Sequence, residues 1–133
     1  MTILGLGIDI VELVRIERLL ARHEKRFLER ICRSGEWQRR DAEAFVQHVG
    51  GLFAAKEAVL KALGTGWAQG LAPRQVEILR AENGAPSVRL HDGATVRASD
   101  LGVSEVHLSV THERSYAAAV AILEGPRYDR GCP

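Results

Sequence analysis

Apolar residues recur along the chain at two periods, and the switches between them mark out the elements. Glu105 to Thr111 alternates, with Val106, Leu108 and Val110 on one face, and Tyr116 to Leu123 continues as a run of small apolar residues. A period of two on both sides of His112-Glu113-Arg114-Ser115 predicts a closing hairpin. Gln75 to Ala81 and Ser87 to Leu90 also alternate, and Glu82-Asn83-Gly84-Ala85-Pro86 between them reads as a second hairpin turn. Thr2 to Ile10 holds Ile3, Leu4, Leu6, Ile8 and Ile10 broken by Gly5 and Gly7. That predicts a buried strand which another backbone approaches closely.

Elsewhere the period lengthens to that of a helix. Val11 to Arg22 places Leu13, Ile16, Leu19 and Leu20 on one side and Arg15, Arg18 and Arg22 on the other. Lys25 to Arg33 reads as a second short helix before a break at Ser34-Gly35-Glu36, and Ala94 to Leu101 as another, ended by Gly102. The longest helical stretch starts at Asp41 and stops at Gly64, where a positive φ is cheap. At about 100° per residue, Phe45, Val49, Leu52, Phe53, Val59, Leu60 and Leu63 fall within an arc of roughly 120°. Glu57 and Lys61 share its margin one turn apart, so each can keep its charge while facing a cleft. Gly50-Gly51 interrupts this stretch at a cost of about 1 kcal/mol per glycine relative to alanine, which implies close packing against a neighbouring backbone there.

The chain has 133 residues, enough for one domain to bury a core without staples. There is no run of 18 apolar residues, and no basic region precedes the first apolar stretch, so we expect a cytoplasmic protein with no membrane partner. Cys32 and Cys132 stand far apart and suggest neither a disulfide frame nor a metal cluster. Net charge is only +1, yet Arg15 to Arg40 carries nine Lys or Arg against four Glu. A basic stripe on a balanced domain suits phosphate or an acidic protein surface. The low total charge and the lack of interleaved aromatics argue against nucleic acid.

Three groups carry candidate chemistry. Asp9 follows an apolar strand, where it either caps the next helix or faces a site. Glu57 and Lys61 form the helical pair, and His112 stands at a strand end beside the hydroxyls of Ser109 and Thr111. Two carboxylates with nearby cations suit a magnesium–phosphate site, because magnesium takes one or two carboxylates and completes its shell with water and phosphate oxygens.

The order of these residues carries a resemblance. Gly7-Ile8-Asp9-Ile10-Val11-Glu12 with Arg15-Ile16, then Phe53-Ala54-Ala55-Lys56-Glu57-Ala58 with Lys61 and Gly64-Thr65-Gly66, then Leu108-Ser109-Val110-Thr111-His112 resembles the holo-acyl-carrier-protein synthases of the 4′-phosphopantetheinyl transferase superfamily. The resemblance runs from Ile3 to Glu124, which implies a transferase domain over 1–124; the residues from Gly125 to Pro133 read as a disordered tail. It implies transfer of phosphopantetheine from coenzyme A to a serine of an acidic apo acyl carrier protein, releasing adenosine 3′,5′-bisphosphate. By similarity Asp9 and Glu57 hold Mg2+, and Lys61 stabilises or protonates the leaving group. Pro86, Thr111 and His112 border the coenzyme with Lys61, and Arg15, Arg18 and Arg22 dock the carrier. Glu57 or a metal-held water takes the serine proton. The resemblance further implies an α+β fold, a small antiparallel sheet packed on the long helix, and a homotrimer with sites at subunit boundaries, His112 reaching its site from a neighbour.

Two positions depart from the family pattern. Leu52 stands where a basic residue usually precedes the Phe-Ala-Ala-Lys-Glu segment, and Ala85 replaces the lysine of Gly-Lys-Pro. Two phosphate-facing cations are thereby absent. The alternative reading is a coenzyme A or carrier-binding module without catalysis.

Overall fold

Two glycines decide how the first strand meets the longest helix. In the computed structural model, which describes residues 1–64 and 70–126, β1 (Thr2–Glu12) runs against α2 (Ala42–Leu63). A Cβ on Gly7 would stand 1.9 Å from the Ala58 carbonyl oxygen, and one on Gly5 2.2 Å from that of Ala62. Only glycine at both positions lets strand and helix backbones touch, as the sequence predicts.

β1 pairs with β5 (Tyr116–Gly125), which pairs with β4 (Glu105–His112), giving a three-stranded antiparallel sheet in the order β1-β5-β4. Its inner face, with Val11, Ala117, Ala119, Ala121 and Leu123, is buried with the apolar side of α2. Its outer face is different: Leu6, Ile8 and Ile10 of β1 are 64%, 68% and 65% exposed. The strand expected to be buried is therefore covered on one side only in the single chain.

β1 reaches Glu12, two residues beyond the expected end, and α1 (Leu13–Ile31) follows without a loop. His23 inside α1 has non-helical angles (φ −144°, ψ 42°). The two helices expected over 11–22 and 25–33 are thus the two arms of one kinked element. Leu13, Ile16 and Leu20 are buried from the first arm, and Phe27, Leu28 and Ile31 from the second. Arg15, Arg18 and Arg22 stay exposed.

α2 passes through Gly50-Gly51 unbroken, contrary to the expected interruption. A Cβ on Gly50 would lie 2.5 Å from Leu13 Cδ2, so that glycine makes room for a side chain, not a backbone. Gly64 ends the helix in the left-handed region, with φ 81°. β2 (Val76–Arg80) and β3 (Pro86–Leu90) form a separate two-stranded sheet, so the chain has two small antiparallel sheets where one was expected. α3 (Asp92–Leu101) ends at Gly102, whose φ is 82°. The class is α+β, as predicted. β5 includes Gly125, one residue of the expected tail; Thr65, Gly66 and residues 127–133, with Cys132, lie outside the described residues. No helix among the described residues is long and apolar enough to cross a membrane.

Candidate active site

The close approach of β1 to α2 delivers Asp9 to Lys61. Lys61 Nζ lies 2.8 Å from Asp9 Oδ1 and also donates to the Ile8 carbonyl at 3.2 Å. Asp9 sits within β1, three residues short of Glu12, the residue that precedes α1, so the capping alternative is removed. Its side chain is 14% exposed against 54% for Lys61, which leaves solvent on the lysine side of the pair. Glu57 lies one turn before Lys61 on α2, half-buried, with one carboxylate oxygen wholly covered. Two hard oxygen donors and a cation on adjoining backbones fit a magnesium ion with its phosphate ligands.

His112 ends β4, exposed like Thr111. In register it faces Ala117 of β5, which faces Val11 of β1. That places His112 two strands from β1, roughly 10 Å across the sheet. Among the described residues no hydrogen bond or ion pair joins it to Asp9 or Lys61. Pro86 opens β3 opposite Arg80, on the other sheet. One chain therefore gathers Asp9, Glu57 and Lys61 and holds His112, Thr111 and Pro86 elsewhere.

A charge that sequence reasoning passed over lies inside the core. Lys56 is fully buried and ion-paired with Glu36 at 2.5 Å, and it also donates to the carbonyls of Pro73 (3.2 Å) and Val76 (2.5 Å). Burial pushes its ammonium below the ordinary lysine range, and Glu36 opposes that shift. Glu36 in turn accepts from the backbone N–H groups of Arg33 (2.9 Å) and Ile78 (3.1 Å). The signal was present in the sequence: on the helical wheel Lys56 falls at the middle of the apolar arc, where a charge must find a buried partner. Cys32 is buried nearby and its thiol is pushed up to about 12, chiefly by burial, which makes it inert.

At the far end of the sheet, Glu105, His107 and Glu124 bring their ligand atoms within 4.8 Å of one another. His107 Nε2 lies 2.6 Å from Glu124 and 3.4 Å from Glu105, so the three already satisfy each other. They share no residue with the Asp9–Glu57 pair.

The family profile described as the 4′-phosphopantetheinyl transferase superfamily matches residues 5–121. The chain belongs to that family. It is 48% identical over 122 residues to a holo-[acyl-carrier-protein] synthase of Desulfovibrio desulfuricans, covering 92% of this chain and 98% of the relative. Its fold matches the crystal structure of a holo-ACP synthase from Plasmodium yoelii with a TM-score of 0.82 at 28% identity, covering 95% and 98% of the two chains. A Bacillus anthracis holo-(acyl-carrier-protein) synthase, solved in complex with coenzyme A (3′,5′-ADP), matches with a TM-score of 0.75 at 32% identity, covering 94% and 99%. With relatives this similar over nearly their whole length, the chain is an enzyme of the holo-[acyl-carrier-protein] synthase kind.

Proposed function

We propose that this transferase moves the 4′-phosphopantetheine of coenzyme A onto a serine of an apo acyl carrier protein, with Mg2+ held by Asp9 and Glu57. The observation that carries the reading is the contact of β1 with α2, which sets Asp9 2.8 Å from Lys61, itself one turn of helix after Glu57. The serine Oγ bonds to the phosphorus next to the pantetheine arm as its proton passes to the Glu57 carboxylate or to a bound water. The P–O bond to the nucleotide side of the pyrophosphate breaks, and adenosine 3′,5′-bisphosphate leaves. A bound magnesium ion supplies Lewis-acid neutralisation of the pyrophosphate oxygens. In the chain itself, Lys61 orients Asp9 through their 2.8 Å contact and offers its ammonium to the charge that develops on the leaving phosphate. The exposed ridge of Arg15, Arg18 and Arg22 receives the acidic carrier.

The active assembly in this reading is a homotrimer. Leu6, Ile8 and Ile10 form an apolar strip on the outer sheet face, beside half-buried Val120 and Ile122, and such a strip is normally covered. A closed ring of three covers it and brings a neighbour's His112 and Thr111 to each Asp9–Lys61 site. The separation of His112 from Asp9 within one chain supports that arrangement.

Intact-mass measurement of an apo carrier protein after incubation with the enzyme, coenzyme A and magnesium tests the reading. A gain of one phosphopantetheine, absent with a chelator, is the expected result. Coenzyme binding with no gain on several carriers would favour the non-catalytic binding module.

A further inference from the structure

A cleft of about 680 Å³ lies between the second arm of α1, the segment 32–37 and the turn at Pro73–Gln75. It shares no residue with the Asp9–Glu57–Lys61 group or with the Arg15–Arg18–Arg22 ridge. Its floor is apolar: Leu28 and Cys32 are each 3% exposed, and burial keeps the Cys32 thiol neutral. Half-buried Trp37 forms a wall. Its indole is braced by an edge contact with Phe45, at 5.8 Å between ring centres, and by the Arg39 guanidinium at 5.4 Å, so the aromatic surface is fixed in place. Cations stand round this floor. Arg74 Nη1 donates to the Glu29 carbonyl at 2.8 Å, which orients the guanidinium without neutralising it. Lys25 forms no ion pair among the described residues. Arg33 is the least satisfied: its Nε is wholly covered and meets no acceptor among the described residues, and its contact with the exposed Asp92 is 3.7 Å long. A covered guanidinium short of acceptors is costly and calls for a partner. Two carboxylates also line the cleft. Glu24 is committed to Arg39 through contacts of 2.6 and 3.0 Å, which hold its carboxyl below the usual range, and that leaves Glu29 to offset three cations.

We propose that this cleft binds a small organic anion with an apolar body, its carboxylate or phosphate head held by Arg33, Arg74 and Lys25 and its body laid on Leu28, Cys32 and Trp37. The volume suits such a ligand, since ligand pockets span about 300–1,000 Å³, whereas an inorganic ion would leave the floor and wall uncovered. Planar guanidiniums bind carboxylate and phosphate through paired N–H donors, and Lys25 adds a charge with no ion pair to give up. Bound there, the anion supplies the negative charge that Arg33 lacks and ties the second arm of α1 to the turn before β2. The site is separate from the one that takes coenzyme A, so its occupant does not compete with the coenzyme for a shared residue.

The test is an NMR titration of the full chain with decanoate or naphthyl phosphate, each set against its neutral counterpart, decanamide or naphthol. Trp37→Phe distinguishes the Trp37 indole N–H signal from that of Trp67. We expect the Trp37 signal to shift saturably with at least one anion. That anion should bind at least about tenfold more tightly than its neutral counterpart, the value of one charge-assisted contact. Decanoate as the tighter ligand assigns an aliphatic carboxylate, and naphthyl phosphate an aromatic phosphate. The double variant Arg33→Gln, Arg74→Gln should bring anion and neutral compound within about twofold. Lys25→Gln, at an exposed side chain, should weaken the anion alone by about threefold, and it decides the matter if the double variant does not fold. A Trp37 signal that neither anion moves overturns the proposal, as does an anion bound no better than its neutral counterpart or a preference that survives unchanged in the variants.

Discussion

Lys56 and Glu36 meet in the core with both side chains fully covered, twenty positions apart in the chain. Their pair ties α2 to the segment before it and, through Pro73, Val76 and Ile78, to the start of β2. Removing one partner strands the other's charge in an apolar interior. Lys56→Met should therefore lower stability by about 3–5 kcal/mol, read from urea unfolding. The double variant Lys56→Met, Glu36→Gln should recover part of that loss, since no net charge then remains buried. An additive double-mutant cycle would contradict the coupling.

Gly7→Ala tests the contact that builds the active site. Its Cβ would lie 1.9 Å from a backbone oxygen, so strand or helix must shift. We expect about 1–3 kcal/mol of destabilisation, together with a loss of transfer much larger than that of a surface variant equally destabilised. Equal activity at equal stability would show that Asp9 does not depend on this approach.

Sites shared between copies can be tested by mixing. Asp9→Asn should reduce transfer by about 10²–10³, as for loss of one preorganised electrostatic group, and His112→Ala should reduce it as well. Co-refolding the two variants places an intact Asp9 beside an intact His112 at some boundaries. Activity should return well above either variant alone; no recovery would place both residues on one chain's site.

His48 gives stability a pH dependence. An unfolded histidine titrates near 6.5, while in the fold this one is pushed down to about 4. Above pH 6.5 both states are neutral and the full stability is present. As pH falls from 6.5 to 4 only the unfolded chain gains the proton, so stability should drop by roughly 2–3 kcal/mol across that window. His48→Gln should flatten the slope in equilibrium unfolding between those pH values. An unchanged slope would assign it to other groups.

What the sequence conveyed depends on the range of the contact involved. The alternation of Val106, Leu108 and Val110, and the helical margin shared by Glu57 and Lys61, are local periodicities, and both survive in the fold. Gly5 and Gly7 announced a close approach, because only a neighbouring backbone gives two glycines in a strand a reason. The kink at His23 carries no proline or glycine to mark it. Glu36 was legible only as a break, since its partner lies twenty positions on and outside any period. His112 was placed correctly at a strand end, but no pattern within one chain can say which site it serves. The outer face of β1 was misjudged for the same reason: apolar residues on both faces report burial without saying whose surface does the burying.

That strand divides its positions by parity. Gly5, Gly7 and Asp9 answer to the helix of their own chain, where a single added carbon collides. Leu6, Ile8 and Ile10 point away from it. A population of variants should therefore show two independent tempos along residues 5–10. The odd positions would be frozen by geometry that is already complete in each molecule, and the even ones free to drift wherever a compensating change arises on the surface that covers them.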